Sequence, residues 1–287
     1  MSSQNAEPKP FLKWAGGKSR LLSKILVRLP KKIGTYYEPF LGGGAVFFEL
    51  AKQGRFDRAV IGDSCPELMN AYQVVRDDVE GLIGILRQSQ YKYDKKVFLD
   101  IRRADPDKMD PTTRAARTVY LNRTCYNGLY RVNSNGRFNT PFGKYVDPKI
   151  CDESNLRACS NILKSVELAE TDFEDMLADA GPGDAVYFDP PYMPISKTSN
   201  FTGYTPNGFT HADHVRLSEL FKELDERRVT QVLSNSSHPD VLPLFNGFRM
   251  ETVTGSRSVG RPDKRESVPE VIVDNGDACA SEAILVV

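Results

Sequence analysis

Two patterns of apolar positions take turns along this chain. Short runs of apolar, β-branched and aromatic residues at 35–40, 58–62, 165–169, 185–188 and 231–235, with another near Val271, are bounded by turn residues and predict strands. Between them apolar positions recur at helical spacing. This predicts a helix from about Ser19 to Leu29 ended by Pro30, and one from Ala45 to about Lys52. It also predicts a helical stretch from Pro66 to about Ala104 built on Leu68, Met69, Tyr72 and Val75 and then Val97, Phe98 and Ile101. Further helices are opened by Pro111 with Thr112 and by Thr210, the latter running to about Arg228. Strands alternating with helices predict an α/β fold. The helices after Pro66 interrupt the run of strands, and Asn135-Gly136 between alternating segments within 126–145 predicts a β-hairpin. The chain therefore divides into a sheet-bearing domain, residues 1–65 and 152–287, and an insert of helices and a hairpin, residues 66–151. Residues 197–209 hold few core-type positions and predict a loop over the ligand face of the sheet.

Candidate chemistry collects where the predicted strands end, because the ligand crevice of an open α/β sheet lies outside the carboxyl ends of its strands. Asp189-Pro190-Pro191-Tyr192 directly follows the strand 185–188. Each proline fixes φ and removes a donor, so the turn is stiff and the Asp189 and Pro190 carbonyls stand as acceptors beside the carboxylate. Such a turn suits an amino group with protons to donate, on a flat ring that Tyr192 can stack against. Phe40 and Gly42-Gly43-Gly44 lead from a strand into a helix and let the backbone approach a ligand closely. Asp63 ends the next strand about 20 residues past that turn, placed to accept from ribose hydroxyls or else to cap the helix at Pro66. Asp172, past the strand 165–169, is a further candidate cofactor contact. Phe47 stands where the dinucleotide fingerprint requires its third glycine, which favours adenosyl-type over nicotinamide cofactors. Gly17-Lys18-Ser19 ends like a phosphate loop, but Leu12 stands where that loop needs glycine, so a nucleoside triphosphatase is excluded. There remains a turn that places the only tryptophan, Trp14, between Lys13 and Lys18.

Composition adds a partner. Lys plus Arg equals Asp plus Glu at 38 each, so a polyanion must be held by a local basic patch. Arg114, Arg117, Arg123, Arg131, Arg137, Lys144 and Lys149 fall in one stretch with the single acid Asp147, among Tyr126, Asn127, Asn139 and Tyr145. Such residues can hold phosphates and read base edges, which points to double-stranded DNA, although charge alone also fits a solvated basic surface. RNA is the weaker partner, because a hairpin suits the major groove of B-form DNA better than the deep groove of A-form RNA. The five cysteines show no metal-ligand spacing and read as free thiols of a reducing compartment. No apolar run approaches ~18 residues and the start is polar, so a soluble cytoplasmic protein, nucleoid-associated if it binds DNA, is expected, with no membrane and no metal. The three histidines have no partners that spacing identifies and receive no catalytic role.

Phe-Leu-Lys-Trp-Ala-Gly-Gly-Lys at 11–18, Glu-Pro-Phe-Leu-Gly-Gly-Gly at 38–44, Tyr-Asn-Gly-Leu-Tyr-Arg at 126–131, Asn-Thr-Pro-Phe-Gly at 139–143 and Asp-Pro-Pro-Tyr at 189–192, in this order and spacing, resemble the Dam-type DNA adenine-N6 methyltransferases. The resemblance runs from Phe11 to about Val273. It implies a seven-stranded Rossmann-like methyltransferase sheet with an inserted target-recognition domain, S-adenosylmethionine as cofactor and GATC as target. It implies Trp14, Lys18, Asp63 and Asp189 at the cofactor site. Lys13, Leu129, Arg131 and Pro141 would meet bases, and Lys144 and Tyr145 the backbone, with Arg123, Asn127 and Asn139 beside them on the DNA side. The chain departs from the family's bacterial housekeeping members at Thr124-Cys125, Tyr130 and Ser256-Arg257-Ser258. The expected catalytic group is Asp189, Pro190 and Tyr192, acting in a monomer on a flipped adenine. A cytosine-N4 methyltransferase and a catalytically idle DNA-binding module are the alternatives.

Overall fold

The computed structural model describes residues 6–18, 20–193, 208–253 and 269–276. The expected loop at 197–209 up to residue 207, and Ser256-Arg257-Ser258, lie outside them. The sheet has seven strands: β1 Ile33–Glu38, β2 Phe56–Gly62, β3 Glu167–Ala169, β4 Ala185–Phe188, β5 Thr230–Ser236, β6 Arg249–Val253 and β7 Glu270–Asp274. Their order is β3-β2-β1-β4-β5-β7-β6, parallel from β3 to β5, with β7 antiparallel to both of its neighbours. The order reverses between β1 and β4, and the crevice at that switch point is where an open α/β sheet takes its ligand.

Helices cover both faces because the central strands are apolar on both. Tyr36, Tyr187 and Val232 join one buried cluster with Ile25 of α1 (Leu22–Leu26), Phe47 and Phe48 of α2 (Ala45–Lys52), Leu68 and Tyr72 of α3 (Pro66–Asp77) and Leu156 of α7 (Glu153–Leu163). Their strand neighbours Tyr37, Val186, Phe188 and Leu233 point the other way, into a cluster with Phe173 of α8 (Phe173–Met176) and Leu217, Phe221 and Leu224 of α9 (His211–Glu226). Burying each such side chain contributes about 1.5–3 kcal/mol relative to leaving it exposed. Helix starts follow local chemistry. Asp78, Asp94, Asp110 and Asp152 cap α4 (Val79–Leu86), α5 (Lys95–Arg103), α6 (Pro111–Thr124) and α7, and Thr210 with Asp213 forms a capping box on α9.

Four expectations change. The helix expected to reach Leu29 stops at Leu26, since the Arg55 guanidinium takes the carbonyls of Leu26, Leu29 and Pro30 and the chain turns there. Strand β6 has no counterpart among the apolar runs; its buried or half-buried positions alternate too weakly, and pairing with β7 along its length makes it a strand. The insert has no core of its own. Helix α3 packs on α6, α7 and β3, and Phe98, Tyr120 and Phe138 belong to the same cluster as the sheet, so the boundary expected at residue 66 is not a break in packing. The hairpin forms, but on a three-residue loop. Asn133 and Arg137 pair, Gly136 donates to the Asn133 carbonyl, and Gly136 takes φ +71°.

Gly62 closes β2 against β3, where an added Cβ would meet the Ala169 carbonyl oxygen at 2.7 Å. Gly62→Ala is expected to destabilise the protein by about 1–3 kcal/mol in urea denaturation, the usual cost of forcing volume into a packed contact. A loss under ~0.5 kcal/mol would show that β3 moves aside freely.

Candidate active site

The chain leaves β1 at Glu38, turns through Gly42, Gly43 and Gly44, and enters α2. The turn is possible because Gly42 and Gly44 adopt φ +50° and +69°, a region other residues seldom enter. Trp14 lies so close that a Cβ on Gly42 would meet its ring at 2.8 Å. Asp63, at the end of β2, accepts from the Gly42 amide at 2.9 Å and from the Cys65 amide at 2.9 Å. Asp63 thus pins the glycine turn and the entry to α3 together. Burial pushes its carboxyl up to about 6, with the two amides opposing.

Beside this turn is a cavity of about 330 Å³ lined by Trp14, Lys18, Glu38, Gly42, Asn127 and Asp189, among others. Asp189 enters from the end of β4, the neighbour of β1. Lys18 Nζ lies 2.7 Å from Asp189 Oδ1, and Ser234, from β5, donates to the same oxygen at 2.9 Å while sharing a 2.8 Å hydrogen bond with the Tyr187 hydroxyl. Among the described residues no partner falls on Oδ2. Burial raises the Asp189 carboxyl, and Lys18 and Ser234 hold it back. Burial also works against charge on Lys18, but Asp189, Tyr192 and Glu270 together outweigh it and the ammonium is held more firmly than usual. Lys18 Nζ further sits 5.0 Å from the Tyr192 ring centre and donates to the Gly16 carbonyl at 2.6 Å. The Tyr192 hydroxyl donates to Glu270 at 3.2 Å. Pro190 is buried at the start of the stiff turn.

Glu38, Ser234, Tyr187 and Glu270 were not legible as site residues. Glu38 is buried, accepts from the Tyr36 hydroxyl at 2.6 Å, and is pushed up to about 8, chiefly by burial. The acid ahead of the glycine turn was in view; its burial at the cavity wall was not. Two expected cofactor contacts stand elsewhere. Asp172 caps α8 and pairs with Arg216 at 2.8 Å, so its carboxylate is committed at the surface. Phe40 joins Phe173 and Phe209 at ring distances of 5.6 and 5.5 Å, outside the lining of the cavity.

The expected DNA face is thinner than its charge count. Arg114 pairs with Glu67 at 2.7 Å, Arg137 with Asp105 at 2.6 Å and Lys149 with Asp152 at 2.7 Å, all acids outside the basic stretch of sequence. Buried Arg117 donates to the Ile101 and Arg102 carbonyls and Arg123 to the Phe11 carbonyl, so these guanidiniums hold the fold. Arg131 and Lys144 alone of the set are exposed with no acidic partner among the described residues. The Arg131 Nε donates to Asn139 Oδ1 at 2.6 Å, which sets the direction of its fork. Leu129 and Pro141 flank it on the same hairpin, Leu129 half-buried and Pro141 exposed. Lys13 Nζ lies 4.7 Å from the Tyr145 ring centre, while the Tyr145 hydroxyl donates to the Cys125 carbonyl and is unavailable to a phosphate in this arrangement. Asn127 holds φ +54°, lines the cavity and joins the hairpin side to it. Asn122 clasps the Lys13 backbone, accepting from its amide at 2.8 Å and donating to its carbonyl at 2.6 Å and to that of Gly128 at 3.1 Å. Among the described residues no group of His, Cys, Asp and Glu could hold a metal ion, and no helix is long and apolar enough to cross a membrane.

Residues 14–259 match the D12 class of N6 adenine-specific DNA methyltransferases. The chain is 44% identical to the type II methyltransferase M1.LlaDCHI of Lactococcus lactis subsp. cremoris, over 93% of this chain and 95% of that protein. It is 41% identical to the type II methyltransferase M.MjaIII of Methanocaldococcus jannaschii, over 94% and 99%. It is 34% identical to a DNA adenine methylase of Haemophilus influenzae, over 94% and 96%.

Glu38 supplies a pH test. Its folded pKa of about 8 stands above the unfolded value of 4.5, so the stability it contributes is complete below pH 4.5 and is lost as pH rises through about 8. Glu38→Gln is expected to gain on the native protein between pH 5 and pH 8 by at least ~1 kcal/mol in urea denaturation, since a tenfold change in proton affinity is worth about 1.4 kcal/mol. Parallel stability curves for the two proteins would show that Glu38 is ionised throughout.

Proposed function

This chain belongs to the D12 class N6 adenine-specific DNA methyltransferase family, and from that premise we propose that it methylates N6 of an adenine flipped out of duplex DNA, within GATC. An adenine-specific enzyme sets aside both the cytosine-N4 reading and the idle module. S-adenosylmethionine, when bound, supplies an electrophilic methyl group on a positively charged sulfur. The observation that carries the reading is the cavity at the switch point of the sheet, where carboxyl groups are held toward their neutral forms by burial. Glu38 and Asp189 line it, Asp63 stands behind the glycine turn, and burial raises all three, so each is poised to gain from a cationic ligand. Trp14, Glu38 and Gly42 would hold that ligand, with Asp63 fixing the turn beneath it.

Adenine N6 is a poor nucleophile because its lone pair is delocalised into the ring, and within a duplex the ring is stacked out of reach. Tyr192 offers a face for the flipped base. Lys18 and Ser234 fix Asp189 by Oδ1, so Oδ2 and the Pro190 carbonyl are the acceptors for the two N6 hydrogens. Accepting both draws the nitrogen toward sp³ geometry and frees its lone pair. Holding nitrogen and methyl carbon near contact can by itself contribute ~7–11 kcal/mol. GATC is supported by the hairpin sequence and by the Arg131 fork, which can bond a guanine edge bidentately.

The test is expression in a host free of DNA methylation, followed by sequencing for modified bases, which reports base and motif together. N6-methyladenine in GATC is expected, and its loss in Asp189→Ala; more than ~10% residual turnover there would contradict a direct role, since a positioned group is usually worth at least ~10²-fold. On single-base variants of the target, Arg131→Ala is expected to lose ~1–3 kcal/mol of discrimination at one base pair. Lys144→Ala is expected to weaken all sequences alike and to lower the salt slope by about one. Equal, sequence-independent losses in both would make Arg131 another phosphate contact.

A further inference from the structure

Resting on the reading just given, we propose that Tyr130 is a positioning residue that couples target recognition to cofactor binding. It is a hairpin residue, set between Leu129 and Arg131, yet it is buried. Its ring stacks on Trp14, with centres 5.1 Å apart and planes 21° apart. Trp14 lines the cavity and presses on Gly42. The Tyr130 phenol also lies beside the Cys65 thiol, and the Cys65 amide is one of the two donors on Asp63. One side chain therefore touches both sides of the glycine turn. On the hairpin side the ring packs against Phe138 at 5.6 Å, and the Thr140 hydroxyl ties the neighbouring Leu129 carbonyl across the strands at 2.7 Å.

The geometry has a directional consequence. A hairpin that seats Leu129 and Arg131 on bases cannot shift without moving Tyr130, and Tyr130 cannot move without changing the wall formed by Trp14 or the hold on Asp63. Binding at either end therefore narrows the positions open to the other. By linkage, cognate DNA tightens the cofactor by the same factor by which the cofactor tightens cognate DNA, and such factors commonly run from about 5 to 150. Non-cognate DNA, which leaves the hairpin unseated, does not produce it.

The experiment measures S-adenosylhomocysteine binding by calorimetry to the full chain alone, with a duplex carrying the sequence it methylates in cells, and with a one-base variant of that duplex. The native chain is expected to bind at least ~5-fold tighter with the cognate duplex and to be unmoved by the variant. Tyr130→Leu, with its cofactor affinity in the absence of DNA changed less than the coupling is, is expected to bring the factor below about 2, while Tyr130→Phe keeps it. Tyr130→Met, more adaptable in a packed site, carries the same test where the leucine variant does not fold. A native chain that methylates no adenine overturns the functional reading and this inference with it. A native chain that methylates adenine but shows a factor near one overturns this inference alone. So does a leucine variant with the native factor, or a phenylalanine variant as impaired as the leucine one.

Discussion

Three carboxyl groups crowded at one crevice are the constraint around which the site is arranged. Glu38, Asp63 and Asp189 meet where the sheet reverses its order, and burial disfavours ionising any of them. The protein answers locally for each. Asp63 has two backbone amides, Glu38 the Tyr36 hydroxyl, and Asp189 the Lys18 ammonium with the Ser234 hydroxyl. Each answer also fixes a position: the glycine turn, the end of β1, and the direction in which Asp189 presents its second oxygen. The same bonds that make burial tolerable give the site its shape.

A second economy concerns arginine. Most cations of the basic stretch are spent on the fold, Arg117 and Arg123 on carbonyls and Arg114 and Arg137 on acids from other elements. A guanidinium that satisfies buried carbonyls stiffens the frame that carries the hairpin, and what remains exposed without an acidic partner among the described residues is the pair best suited to two different tasks. Arg131 has a directed fork, and Lys144 is a mobile point charge. Asn122, Gly128 and Tyr130 tie the hairpin to the segment carrying Lys13 and Trp14. An added Cβ on Gly128 would meet the Lys13 side chain at 2.6 Å, so that join tolerates no bulk.

The elements were legible from the chain because their causes are local. Strand β4 stands at Ala185–Phe188 as its apolar run indicated, α9 begins at the Thr210 cap, α6 begins at Asp110-Pro111, and the hairpin turns at Gly136. Where local signals were weak, as in β6, or competed with a distant side chain, as Arg55 does at the end of α1, the reading of the chain fell short. The stiff turn after β4 and the glycine turn after β1 were identifiable as chemistry because strand ends face the crevice in this fold class.

The sequence by itself determined most of the strands and helices and, through motifs in register, the family. Only the tertiary structure decided which charges remain available. Glu67 lies 47 residues from Arg114, and Asp105 lies 32 from Arg137, so a count along the chain saw bases without their acids. It alone brought Ser234 and Lys18 onto one oxygen of Asp189, and Tyr130 onto Trp14. Propensity and turn chemistry act over a few bonds and can be read in order. Charge compensation and ring stacking act over a few ångströms of space, and folding sets that distance independently of separation along the chain.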